Sequence, residues 1–298
     1  MMELFPIESC NQNPLNECQG TIVSSSSVIR LSIDVGNSRI KFGLFRESGQ
    51  SRAPTEIPPC LNSAVISHGD PIPWGEIQSW IDDNNKIEVK GVVAGGHPNG
   101  IARICDEWPD ELGQPPMVVR DTRSFPLSVN VDEPDKVGID RLLNTVAVNV
   151  FRPVNVPAIV VDSGTATTVD FISADGVFQG GAILPGFDLL ARALHEYTAL
   201  LPMVPMDELA TGACEVVGKN TRAAIRSGQV WGQLGSVREL IRQMAATSGV
   251  NQDDVLVTLT GGGAELLLPH LQRARGEPFL ALQGLVLVAA HLEQEPHA

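Results

Sequence analysis

The sequence predicts an α/β protein of two similar lobes, each a mixed sheet with helices, separated by an interdomain cleft. Two stretches carry most of that expectation. Residues 31–45, LSIDVGNSRIKFGLF, place Asp34 inside a run of β-forming residues, with Gly36 and a polar turn directly behind it. Residues 156–172, VPAIVVDSGTATTVDFI, repeat the pattern: apolar strand, Asp-x-Gly, small polar turn, alternating strand. Asp162 follows Asp34 by 128 positions, about the length of a domain, so one supersecondary unit is expected twice. Length agrees, because 298 residues with 43% hydrophobic content suit two lobes of roughly 130 residues better than one core.

Residues 28–45 read as two strands and a short turn, since Ile40, Phe42 and Leu44 alternate with Lys41, Gly43 and Phe45. The Ser-, Pro- and Gly-rich stretch 48–75 reads as loop with one edge strand. PWGEIQSWIDDNN is expected to be helical, and IEVKGVVAGG a strand stopped by its glycines. A short helix at 102–112, a strand in PMVVRD and a helix in DKVGIDRLLNTVAVNVF complete a first lobe, 29–152; Leu142 or Leu143, Val146 and Val150 give the helical spacing. The second lobe, 153–298, continues past its acid-bearing hairpin with a strand in GVFQGGAILPG and helices at 187–200 and 221–246. The strand DVLVTLT, a GGG break and a C-terminal helix finish it. Residues 1–28 have the polarity of a disordered leader.

A formal charge of −14, with no Lys/Arg block, argues against nucleic acid as a partner. Five scattered cysteines without a C-x-x-C pair predict a reduced chain rather than a disulfide framework or zinc site. The leader lacks a basic n-region and an apolar h-region, and no apolar run approaches 20 residues, so the expectation is cytoplasmic, without a membrane segment.

In DVGNSRIK, Gly36 permits close backbone approach, the amides of Asn37 and Ser38 and the Ser38 hydroxyl can donate to phosphate oxygens, and Lys41 adds a point charge. Asp34 would repel phosphate, so its useful role is to hold Mg²⁺, directly or through water. Alone, this stretch reads more simply as an ordinary Asp-Gly hairpin turn, and it is the repeat at Asp162 that turns the balance. In DSGTATT, Gly164, Thr165, Thr167 and Thr168 form a second hydroxyl-rich turn. β-Propensity explains the threonines but not an acid within AIVVD. GACEVVGKNT misses the P-loop pattern in its spacing and in Asn220, and TLTGGGAELL lacks G-x-G-x-x-G, so it reads as a tight strand-to-helix turn.

The two turns resemble the phosphate loops of the actin, heat-shock ATPase and sugar kinase superfamily, a ribonuclease H-like duplication. More narrowly, the chain is similar to type III pantothenate kinases. Its DVGNS, PDKVGIDR (134–141), DSGTATT, GGAILPG, GKNT (218–221) and TGG (260–262) match that family's motifs in order. The resemblance implies ATP-dependent phosphorylation of pantothenate, the first step of coenzyme A synthesis. It implies an ATP loop of Asp34, Val35, Gly36, Asn37, Ser38, Arg39, Ile40 and Lys41, with Thr165 also on ATP. Asp140 would be the base for the pantothenate hydroxyl. Gly138, Ile139, Asp140 and Arg141 would line the pantothenate site, with Thr221 and the position of Val131. Asp162 would ligate potassium or ammonium. A homodimer with the pocket near its interface is also implied.

The chemistry is consistent with those roles, because phosphoryl transfer asks mainly for positioning and charge neutralisation. Asp140, near a helix N-terminus, is expected to stay ionised, with an N-cap as its competing role. Arg141 is suited to a planar two-bond contact with the substrate carboxylate; the competing role is an ion pair with one of 35 acidic residues. Two departures stand out: Val131 where the family often carries Tyr, and AGGHP (94–98) for its usual S-S-V-V-P, which introduces His97, read as a surface histidine without a role. A phosphohydrolase on the same fold, or a degenerate regulatory relative, is the alternative.

Overall fold

The structure, a computed structural model, describes residues 28–47, 56–81 and 88–294. All but one residue of the expected leader lies outside them. Strands β1 (Val28–Val35), β2 (Arg39–Glu47), β3 (Cys60–Ser67), β4 (Glu88–Gly95) and β5 (Met117–Val118) form a sheet in the order β3-β2-β1-β4-β5. Strands β6 (Ala158–Ser163), β7 (Ala166–Ile172), β8 (Phe178–Pro185), β9 (Leu256–Thr260) and β10 (Arg275–Gly276) form a second, β8-β7-β6-β9-β10. In each, the first three strands pair antiparallel and the last two join in parallel. The two sheets are thus the same unit built twice, as the repeated Asp-x-Gly hairpin anticipates.

Helices α1 (Trp74–Ser79) and α2 (Pro98–Asp106) cover one face of the first sheet, where Ile33, Phe42, Ile77 and Ile104 pack together. On the second sheet, α4 (Phe187–Glu196), α5 (Met206–Leu209), α6 (Thr221–Thr247) and α7 (Ala264–Leu267) bury Ile159, Val161, Leu234 and Leu267. Two helices lie between the sheets. Helix α3 (Ile139–Phe151) turns Leu142 and Val146 to the first and Ala147 and Val148 to the second. Helix α8 (Leu280–Gln294) crosses back from the end of the chain to pack on α3 and the first sheet, so the first sheet borrows a helix from beyond residue 153. Gly284 permits that contact, since a Cβ there would sit 2.0 Å from the Leu143 carbonyl oxygen.

This layering explains the polar residues of β1. Ile29, Leu31, Ile33 and Val35 face the α1/α2 side, and the alternate residues face α8. Arg30, fully buried, pairs with Glu293 at 3.0 Å, and the Ser32 hydroxyl donates to the Leu282 carbonyl at 3.0 Å. Asp34 is the next residue on that face, at the strand end. The expected helix at 102–112 instead spans α2 and a 3-10 turn at Asp110–Leu112, because Pro98 at the first turn and the His97 side chain, accepting from Gly100 N–H, start the helix earlier.

Candidate active site

Both acid turns lie at strand ends facing the N-terminus of α3. Asp34 is 4% exposed, and its register partner across the hairpin is Lys41, whose Nζ is 3.6 Å from its Oδ2. Asp162 has Thr168 opposite in β7 and Thr260 beside it in β9, so no cation comes with its strand. Its Oδ2 accepts instead from the Asn144 amide at 3.0 Å. Asn144 stands four residues after Asp140 on α3, so one face of this helix presents both.

The turns themselves meet. The Thr165 hydroxyl donates to the Ser38 hydroxyl at 2.9 Å, and Arg39 faces Asp188 across the cleft at 3.9 Å. Glycines beneath the turns make room. Gly95 (φ +147°) would drive a Cβ to 2.1 Å from the Val35 carbonyl oxygen, and Gly261 (φ +85°) would drive one to 2.5 Å from Asp162 Oδ1.

Electrostatics tie Asp34, Lys41, Asp140 and Asp162 into one cluster. Burial is the largest influence on Asp34 and pushes its carboxyl above the ordinary value of 3.8; Lys41 pulls it back, while Asp140 and Asp162 push it up again. For Lys41, burial works downward, but the three carboxylates outweigh it and leave the ammonium above its ordinary range. Asp140 is exposed, yet the hydration its carboxyl loses to the surrounding protein and then the Asp162 charge raise its pKa. Asp140 does accept from the Arg141 N–H at 2.9 Å, which works downward but does not prevail. Nor is it the N-cap: Gly138 occupies that place and Asp140 lies in the first turn.

Arg141 is placed differently from its sequence reading. Its Nε donates to Asp170 at 2.9 Å and 3.2 Å, and its Nη2 is also bonded to Asp170, a carboxylate only 1% exposed on β7. The competing ion pair therefore takes the Nε/Nη2 edge of the guanidinium, leaving the Nη1 side. Val131, like Val129, Val137 and Ile139, packs against the buried cluster that holds Leu142, Val146 and Phe178, and its methyl is 3.4 Å from where a Cβ on Gly180 would lie. Thr221 is exposed at the start of α6, outside the cluster of acids. Val35 and Ile40 are fully buried, so neither side chain is open to a ligand and only their backbone belongs to the turn's surface.

Among the described residues, no three His, Cys, Asp or Glu side chains are close enough to enclose a metal alone. The cleft offers carboxylate oxygens, which suit a hard cation shared with water and phosphate oxygens, beside turn N–H groups that suit the phosphate itself. Sequence reasoning missed Asn144 and Asp170, while Gly261 lies in the matched TGG motif without a role of its own assigned there. Neither Asn144 nor Asp170 carries a local signal, whereas Gly261 had one in the glycine run after an apolar strand.

The family model described as type III pantothenate kinase matches residues 30–243. A type III pantothenate kinase of Acidiphilium cryptum (strain JF-5) is 35% identical over 274 residues, covering 88% of this chain and 94% of that protein. Another, from Moorella thermoacetica (strain ATCC 39073 / JCM 9320), is 33% identical over 263 residues, covering 87% and 97%. A solved structure from Campylobacter jejuni, named as a Baf family transcriptional activator, has a TM-score of 0.52 at 16% identity, covering 89% of this chain and 98% of that one; this likeness concerns the fold alone. The matched span includes both acid turns and the helix between them, and with relatives aligned along nearly their whole length, the chain belongs to the type III pantothenate kinase family.

Proposed function

We propose that this chain transfers the γ-phosphoryl group of ATP to the primary hydroxyl of pantothenate, forming 4'-phosphopantothenate at the start of coenzyme A synthesis. The observation that carries the reading is the meeting of Asp34, Lys41, Asp140 and Asp162 between two turns that touch through Ser38 and Thr165. The Asn37 and Ser38 amides, Arg39, Lys41 and Thr165 hold the triphosphate. Asp34 holds Mg²⁺, directly or through water, and Asp162 a potassium or ammonium ion. When bound, these cations supply neutralisation of phosphate charge.

Asp140 orients the pantothenate hydroxyl and takes its proton as the bond to phosphorus forms. A carboxylate above its ordinary pKa is the better acceptor for that proton. Gly138, Ile139 and Val131 shape the pocket wall, Arg141 Nη1 meets the substrate carboxylate, and Thr221 completes the site. The chain acts as a cytoplasmic homodimer. Among the described residues no helix is long and apolar enough to cross a membrane, and the second lobe exposes the large apolar side chains Ile183, Tyr197, Leu200, Val216 and Val217, which a second copy could cover.

The test is ADP release by the purified chain with ATP, magnesium and potassium, with and without pantothenate. Release that depends on pantothenate is expected. Equal release without it would replace this reading with the phosphohydrolase.

A further inference from the structure

We propose that His68 is a positioning residue for the first phosphate turn, acting through the carbonyl of Gly36. The proposal deepens the kinase reading and rests on it. His68 follows β3, and its Nε2 lies 2.8 Å from the Gly36 carbonyl oxygen. A carbonyl only accepts, so this nitrogen carries the proton. The turn needs such an anchor. Gly36 N–H donates to the Arg39 carbonyl at 3.0 Å, but the reciprocal bond from Arg39 N–H to Gly36, which would close a tight two-residue turn, is absent.

Peptide planarity gives the anchor its consequence. In a trans peptide the carbonyl of one residue and the N–H of the next point opposite ways, so fixing the Gly36 carbonyl also fixes the direction of the Asn37 N–H. That amide is one of the donors assigned to phosphate. Holding it in advance spares the ligand the cost of ordering it.

His68 is itself held on two sides. Its ring stacks on His97, with centroids 4.0 Å apart and planes at 29°. His97 Nδ1 accepts from Gly100 N–H at 3.0 Å at the start of α2, which fixes its ring. Arg103, also on α2, donates through Nη1 to the His68 carbonyl at 2.8 Å. A helix outside the cleft thus sets the orientation of a turn within it. His97, read from the sequence as a surface residue without a role, is half-buried and is the support for His68.

Three variants test this. His68→Leu removes the donor. His68→Asn keeps polarity but places its amide at the Nδ1 position, short of Gly36. His68→Gln places an amide at the Nε2 position. The loss of one bond to a partly buried carbonyl predicts that the Leu and Asn variants raise the KM for ATP about tenfold, with the KM for pantothenate unchanged and Gln recovering most of the loss. In direct titrations, ADP binding weakens in the Leu and Asn variants while adenosine binding holds. If the Leu variant does not fold, the Asn variant is read alone. Equal weakening of ADP and adenosine, unchanged ADP binding, or no rescue by Gln would overturn the proposal. The same ADP-against-adenosine contrast in a chain without pantothenate-dependent turnover would uphold His68 and overturn the kinase reading.

Discussion

Asp34 and Asp162 hold equivalent places in two sheets of the same strand order, yet what stands opposite them differs. Asp34 is matched by Lys41 at 3.6 Å across its hairpin, whereas Asp162 is matched by Thr168 and steadied by the Asn144 amide. An amide satisfies a carboxylate lone pair without cancelling its charge. Duplication has therefore produced one acid with a built-in counterion and one without. The same asymmetry fits the proposed division of labour, in which the first turn faces phosphate and the second holds a cation that arrives from solution.

Removing the counterion breaks the contrast most severely. Lys41→Met leaves Asp34 buried among like charges, and stranding one partner of such a pair costs about 1–3 kcal/mol where the lysine is partly exposed. Turnover is expected to fall at least about a hundredfold, through lost transition-state charge. The pH profile should move too. Protonation of the cleft acids ends turnover as pH falls, and Lys41 holds both Asp34 and Asp140 down, so the acid limb of kcat/KM shifts to higher pH in the variant. A limb that stays in place would detach Lys41 from both acids.

Asp162→Asn tests the other half with a smaller effect. The wild type should lose most activity when potassium is replaced by sodium, and the variant, slower by about tenfold, should respond equally to both ions. A variant that keeps the potassium preference would move the cation site elsewhere. Thr165→Val is the mildest change. It removes a solvent-exposed hydroxyl contact, worth about 0.5–1 kcal/mol, so the KM for ATP should rise about two- to fivefold with little change in melting temperature.

Much of this contrast was legible in the sequence because its parts are local. The period-2 alternation around each acid, the glycine two residues later and the 128-residue repeat fix the hairpins and their duplication. Lys41 reaches Asp34 through the hairpin register alone. What escaped is what helices bring from a distance. Asn144 reaches Asp162, and Asp170 claims Arg141, through the rotation of α3 between two sheets, which no run of residues encodes by itself. His68 and Gly36 are neighbours only because β3 returns along β2 to the level of the turn. The home of α8 was equally hidden: its apolar sequence calls for burial on nearly every side but does not name the sheet that supplies it.

Asp140, set between the two turns, is the proposed acceptor for the proton of the alcohol that ATP phosphorylates. Pantothenate-dependent turnover of Asp140→Asn, followed together with its ATP binding and thermal midpoint, decides that role. Turnover lower by about 10²- to 10⁴-fold with binding and stability retained is the expected result. Near-normal turnover in that variant would contradict the account.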